Sequence, residues 1–405
     1  MQKKTKKNQK WVRFRHKVVR KVAYWVINPY TRWKYHIKIE KFKQEEDRPY
    51  LVLFNHQTAL DQFIVGSSFE KPIYYVASED LFSNGFVSRL LEWAVAPIPI
   101  KKQATDAHAV LTCLRVMKEG GTIAIAPEGN RTFSGKTEYI KSVIVRFVKA
   151  LKMPLVLYRI EGGYGVQPRW SDVARKGKMR SYVHKVIQPE EYLAMPDEEL
   201  FEIIQQELYV NEGCLDSEFH HKQLAQYIER AYYVCPTCGL TEYESDKDTF
   251  MCKTCKQTVR YLPTKELQGV GSEFPFRFTT DWYDYQSDFI HKLDLTAYED
   301  KPMYSDEAAL FHVKLYDRKY KLDNNAKITL YGNRIVIKTK KETLDFPFEQ
   351  VSTVAVLGRN KVNIYFDGKV YQLKGGARFN GVKYVQIYHH FKNVEKGEEN
   401  GFLGL

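Results

Sequence analysis

Two short apolar runs, each cut off by polar residues, limit what this chain can fold into more than any other feature. Leu51-Val52-Leu53-Phe54 has no polar position and stops at Asn55-His56. That is the pattern of a strand covered on both faces, as in a parallel sheet. Thr122 to Ala126 repeats it, after a helical stretch ending at Gly120-Gly121, and stops at Pro127-Glu128-Gly129-Asn130-Arg131. Open parallel sheets take ligands at the carboxyl ends of their strands, so the two polar signatures are expected to share one cleft. The fold class expected is α/β, a largely parallel sheet flanked by helices. Its strands fall near 51–54, 72–76, 122–126, 154–160 and 181–187. The clearest helix covers 105–119, with Ala109, Val110, Cys113, Leu114 and Met117 on its apolar face.

His56 and Asp61 stand five apart. Within one helix such residues diverge by about 140°, so a contact requires His56 in the loop and Asp61 in the first helical turn. Asp61 could then accept a hydrogen bond from one ring nitrogen, leaving the other as a general base. On these residues alone, a polar helix start holding a satisfied histidine is the favoured reading.

Taken together, Asn-His-x4-Asp and, about seventy residues on, Pro-Glu-Gly-x-Arg resemble the glycerolipid acyltransferase family over roughly residues 35–190. The resemblance implies that His56 acts directly on an acceptor hydroxyl, with Asp61 holding the imidazole and no covalent acyl-enzyme. It assigns the acceptor's phosphate to Glu128, Gly129 and Arg131. Arg131 supplies a planar fork, Glu128 orients it, and Gly129 lets the backbone come close. Asn55 joins this substrate site. Lys102 stands where the family ends its second block in Arg, a point charge in place of a fork. Pro154, in an apolar-Pro block, shapes the acyl pocket. Main-chain N–H groups near 56–59 are candidates for holding the oxyanion. The implied acceptor is a lysophospholipid, first of all 1-acylglycerol 3-phosphate, and the donor is acyl-CoA or acyl carrier protein.

Sixty-two Lys and Arg against 49 Asp and Glu give a net charge of +13, which calls for an anionic partner. Residues 1–39 hold thirteen of the basic groups and no acid. On a helix, Trp11, Phe14, Val18, Val22 and Trp25 form one stripe, with Arg13, Lys17 and Arg20 opposite. That describes an in-plane anchor on an anionic membrane surface; a helix docked on the protein's own core and a nucleic-acid-binding arm are the other readings. No apolar run reaches the ~18–20 residues that span a bilayer, and no secretory signal is evident. The expected location is cytoplasmic, peripheral on the inner face of the membrane.

Cys235-x-x-Cys238 and Cys252-x-x-Cys255, thirteen residues apart, have the spacing of a zinc ribbon with four thiolates and no open position, hence a structural Zn. The expected order is a basic interface segment (1–34), an acyltransferase domain (35–195), a helical connector (196–233), the ribbon (234–262), a linker with a short helix (263–310), and a β-rich domain resembling the PH/GRAM type (311–405). Two competing readings are a zinc-ribbon nucleic-acid binder, which leaves both acyltransferase blocks unexplained, and a catalytically silent lipid-binding scaffold.

Overall fold

The computed structural model describes residues 10–44, 48–100, 107–214 and 217–404. Contacts divide the chain into two compact units. The first comprises Met1–Gly129, Ile140–Glu161 and Met179–Tyr209; the second comprises Asn130–Tyr139, Gly162–Lys178 and Val210–Leu405.

The first unit is a seven-stranded sheet flanked by helices. In chain order its elements are α1 (Phe14–Tyr35), β1 (Ile37–Ile39), β2 (Leu51–Phe54), α2 (Asp61–Ser68), β3 (Ile73–Ser78), α3 (Phe86–Val95), β4 (Ile98–Ile100), α4 (Ala107–Lys118), β5 (Thr122–Ile125), α5 (Val143–Leu151), β6 (Leu155–Glu161), β7 (Met179–Ile187), α6 (Pro189–Ala194) and α7 (Asp197–Leu208). The strand order is β1-β7-β6-β2-β5-β3-β4, and every pairing is parallel except β6 with β7. β2 is central, between β6 and β5, which is why all four of its residues are apolar and buried. Strands β1 and β4, three residues each, are too short to show a period. On α4 the buried face is Ala109, Thr112, Cys113 and Val116, rotated from the expected one because Val110 and Met117 sit at its margin. Burial pushes the Cys113 thiol up to about 12, so it stays protonated and packs as an apolar group.

Helix α1 turns its stripe the opposite way from an ordinary surface helix. Its buried positions are His16, Asn28, Thr31 and Tyr35, while Phe14, Trp25 and Trp33 are 78%, 76% and 73% exposed. His16 Nδ1 lies 3.0 Å from the Tyr74 hydroxyl, and Arg32 Nε donates to Asn28 Oδ1 at 2.7 Å. The first of these ties the helix to β3 at a polar position, the second is internal to α1, and the apolar stripe is left outward. Trp11 departs from expectation: it precedes the helix, and its indole N–H donates to the Ala96 carbonyl at 3.0 Å.

In the second unit, β8 (Val234–Cys235) and β9 (Gly239–Leu240) form a hairpin, and β10 (Tyr243–Asp246), β11 (Thr249–Cys252), β12 (Thr258–Tyr261) and β13 (Leu267–Val270) an antiparallel sheet. α8 (Thr279–His291) follows. A seven-stranded antiparallel sheet then runs β14 (Tyr304–Val313), β15 (Lys319–Leu330), β16 (Arg334–Lys338), β17 (Thr343–Pro347), β18 (Val351–Leu357), β19 (Lys361–Phe366) and β20 (Lys369–Gly375), ordered β17-β16-β15-β14-β20-β19-β18. α9 (Val382–Lys396) closes it. Two expectations need correction. Residues 196–233 are not mainly helical, because among the described residues after Leu208 turns, two isolated bridges and a short 3-10 segment follow. The C-terminal sheet also begins before residue 311, at Tyr304. β14 and β15 escape notice because they carry many charged and amide residues on their exposed faces.

Candidate active site

β2 and β5 are parallel neighbours, registered Leu51 on Ile123 through Leu53 on Ile125. Their carboxyl ends therefore emerge side by side, and the chain leaves them as Asn55-His56 and Ala126-Pro127-Glu128. His56 Nδ1 lies 2.8 Å from Asp61 Oδ2. Asp61 is fully buried at the first position of α2, where the helix N-terminus favours a negative charge. It also accepts the N–H groups of Gln57 (2.7 Å) and Thr58 (2.9 Å), and the Thr58 hydroxyl (2.5 Å). One carboxylate thus fixes both the loop and the ring. Nε2 of His56 has no protein partner among the described residues, and 17% of the side chain is accessible. Below the site, burial pushes Tyr158 up to about 12, and the charge of Asp61 adds to the shift; its hydroxyl pairs with Ser68 Oγ at 2.6 Å.

Glu128 joins the two strand ends: its Oε1 accepts the His56 main-chain N–H at 2.7 Å. The N–H groups of His56, Gln57 and Thr58 are therefore all engaged, which removes them as free oxyanion donors. Gly129 adopts φ +72° and closes a tight turn, its N–H donating to the Ala126 carbonyl at 3.1 Å. This left-handed conformation is what requires glycine here.

Two of the expected substrate residues sit among main-chain contacts of the sheet. Asn55 is buried and spends both ends of its amide on the Ile160 main chain, donating at 2.8 Å and accepting at 2.7 Å. It pins β2 to β6 through one amide N–H and one lone pair of its oxygen. Pro154 precedes Leu155, which pairs with Leu51, the first residue of β2. It stands at the opposite end of β2 from His56, six residues of rise or roughly 20 Å away at about 3.3 Å per residue. Lys102 lies outside the described residues. Arg131 belongs to the second unit, is half-buried, and accepts a hydrogen bond from Arg169 at its carbonyl.

Residues 35–160 match the Acyltransferase family. The chain carries an acyltransferase domain. The chain is 22% identical over 154 residues to the 1-acyl-sn-glycerol-3-phosphate acyltransferase of Bacillus subtilis (strain 168), covering 38% of this chain and 74% of that protein. It is 30% identical over 114 residues to the enzyme of the same name from Borreliella burgdorferi, covering 27% and 45%. The chloroplastic 1-acyl-sn-glycerol-3-phosphate acyltransferase LPAT1 of Arabidopsis thaliana is 23% identical over 161 residues, covering 38% and 44%. The chain thus spans less than half the length of the latter two. Among solved structures, the 1-acyl-sn-glycerophosphate acyltransferase PlsC from Thermotoga maritima is similar at 21% identity with a TM-score of 0.40, covering 47% of this chain and 77% of that one.

One surface feature of the acyltransferase domain had no clear sequence signal. α3, in contact with α1, exposes Phe86, Val87, Leu90 and Trp93, with Phe86 at 75%. The Arg15 guanidinium carbon stands 5.4 Å from the centre of the Trp93 ring. Within 86–95 these apolar residues follow helical spacing, but spacing alone does not say which face is covered. No helix among the described residues is long and apolar enough to cross a membrane.

In the second unit, the Sγ atoms of Cys235, Cys238, Cys252 and Cys255 all lie within 4.8 Å of one another. Cys235 and Cys255 are 3.7 Å apart, and Cys238 and Cys252 3.6 Å. These four could hold a metal ion.

Proposed function

We propose that this protein transfers a fatty acyl group from a thioester, acyl-CoA or acyl carrier protein, to the hydroxyl of a lysophospholipid, and that 1-acylglycerol 3-phosphate is the acceptor. The observation that carries the reading is the His56–Asp61 contact at the end of β2, tied to Glu128 at the end of the adjacent β5. Asp61 receives Nδ1–H, which leaves Nε2 as the basic nitrogen. Nε2 takes the acceptor's hydroxyl proton as the oxygen attacks the thioester carbonyl. The tetrahedral intermediate then expels the thiolate, which recovers that proton from the imidazolium. Carbon–oxygen bond formation and carbon–sulfur cleavage balance without an acyl-enzyme. Arg131 grips the acceptor phosphate, and Gly129 turns the chain towards it.

His56→Ala is expected to lower turnover by about 10²–10⁴-fold, with circular dichroism and metal content unchanged. Turnover equal to the parent's would remove the base assignment.

The metal is zinc and structural. Zn–S bonds of about 2.3 Å in a tetrahedron place neighbouring sulfurs about 3.8 Å apart, close to the two spacings above. Cys235→Ser, or a strong chelator, is expected to remove one equivalent of zinc and melt residues 234–262. Intact hydrogen-exchange protection there after metal removal would overturn this. The outward apolar residues of α1 and α3, among basic groups such as Arg13, Lys17, Lys21 and Arg89, support peripheral seating on an anionic bilayer.

A further inference from the structure

Residues 131–138 are folded largely by their own side chains. Thr132 Oγ1 and Ser134 Oγ lie 3.1 Å apart. Gly135 N–H donates to Thr132 Oγ1 at 2.9 Å, Lys136 N–H to Ser134 Oγ at 3.0 Å, and Phe133 N–H to Glu138 Oε1 at 3.1 Å. Against this turn rests Arg169, only 3% exposed, its guanidinium carbon 4.1 Å from the centre of the buried Phe133 ring. Nη1 of Arg169 donates to the Arg131 carbonyl at 2.7 Å. Its Nε donates to the carbonyl of Gly358 at 2.9 Å. Gly358 sits in the turn between β18 and β19 at φ +65°. One buried guanidinium therefore ties the main chain of Arg131 to a hairpin of the C-terminal sheet more than two hundred residues further along the sequence.

We propose that Arg169 is a positioning residue for Arg131, and that through it the β18–β19 turn sets how well the protein holds a phosphate-bearing acceptor. This rests on the reading of Arg131 as the acceptor-phosphate ligand. A buried cation is expensive unless its donors are well used. Burial first, and then the nearby Arg131 charge, pull Arg169 down from arginine's ordinary value, with Glu138 opposing. An apolar residue stacked on Phe133 would fill the same space without that cost, but would release both carbonyls. What the guanidinium adds is a fixed fork with two donors aimed at two separate chain segments, which the single charged centre of lysine cannot reproduce. A bidentate grip on phosphate depends on where the gripping fork is held, and shifts of about 1 Å cost on the order of a hundredfold in a reacting complex. The C-terminal sheet is then part of the acceptor site's support, and a ligand that moved its β18–β19 turn would change acceptor affinity.

The test is steady-state kinetics on the full chain with 1-acylglycerol 3-phosphate and acyl-CoA. Arg169→Met should raise the acceptor KM by about tenfold, leaving the thioester KM unchanged. Arg169→Lys should recover part of the loss. Gly358→Val, strained at its positive φ, should reproduce the Met variant's pattern without touching Arg169, and it carries the test should Arg169→Met fail to fold. A monoacylglycerol acceptor, which has no phosphate, should not distinguish parent from variants. Acceptor and thioester KM rising together, or neither moving, would overturn the proposal. Arg131→Ala separates the two levels. If it leaves acceptor KM unmoved, the phosphate reading fails; if it raises that KM while Arg169→Met and Gly358→Val do not, only the positioning role fails.

Discussion

At the scale of single residues, Asp61 and Asn55 show what a sequence reveals and what it hides. The five-residue spacing of His56 and Asp61 excludes a shared helix face, so their contact demanded a loop and a helix start, and the structure has both. Asn55 gave no such clue, because its partner is the main chain of Ile160, 105 positions away, and main-chain partners leave no mark in a side-chain pattern. Asn55→Ala leaves one buried N–H and one buried carbonyl of Ile160 without their partner. It is expected to lower unfolding free energy by about 2–4 kcal/mol, measurable by urea titration. Unchanged stability together with weakened acceptor binding would return Asn55 to the substrate site.

Among the elements, α1 carries the sharpest contrast between pattern and placement. Its apolar stripe was legible from spacing, but which way the stripe faced depended on long-range contacts such as that of His16 with the Tyr74 hydroxyl, which periodicity cannot encode. His16 makes the docking sensitive to acid. Burial, then the charges of Arg15 and Arg13, lowers its folded-state value to about 4 from 6.5, and the Tyr74 hydroxyl beside it, raised to about 12 chiefly by burial, stays neutral. Because the folded value lies below the unfolded one, protons favour the unfolded chain. The stabilisation present above pH 6.5 is lost as pH falls towards 4. Hydrogen exchange across 14–35 should accelerate over that window in the parent and less so in His16→Gln; identical profiles would count against this. Replacing Trp25 and Trp33 by Ser should weaken binding to vesicles containing phosphatidylglycerol by about tenfold or more, judged by co-sedimentation, with activity towards detergent-dispersed acceptor retained. Equal sedimentation of parent and variant would dismiss the membrane seat.

For the whole molecule, alternation of strands and helices and the two Cys-x-x-Cys pairs were enough to read an α/β region followed by a cysteine-bearing module and a β-rich end. The interleaving was not legible. The chain passes between its two units five times, and stretches 130–139 and 162–178 cluster with the later residues. Gly165 and Gly177 leave room for the Phe219 ring, where a Cβ would come within 2.1–2.3 Å. The Trp170 ring centre lies 5.9 Å from that of Tyr261. A fragment ending at residue 209 should therefore aggregate even though every strand of the first sheet is present. A monomeric fragment with native hydrogen-exchange protection across 162–178 would contradict this.

The same interleaving has a consequence for synthesis on the ribosome. Trp170 leaves the exit tunnel 91 residues ahead of Tyr261, a delay on the order of 5–20 s at typical elongation rates. During that interval an indole destined for complete burial has Tyr164 beside it but lacks the face that Tyr261 supplies, so nascent chains paused between these two positions should be the form most dependent on chaperones.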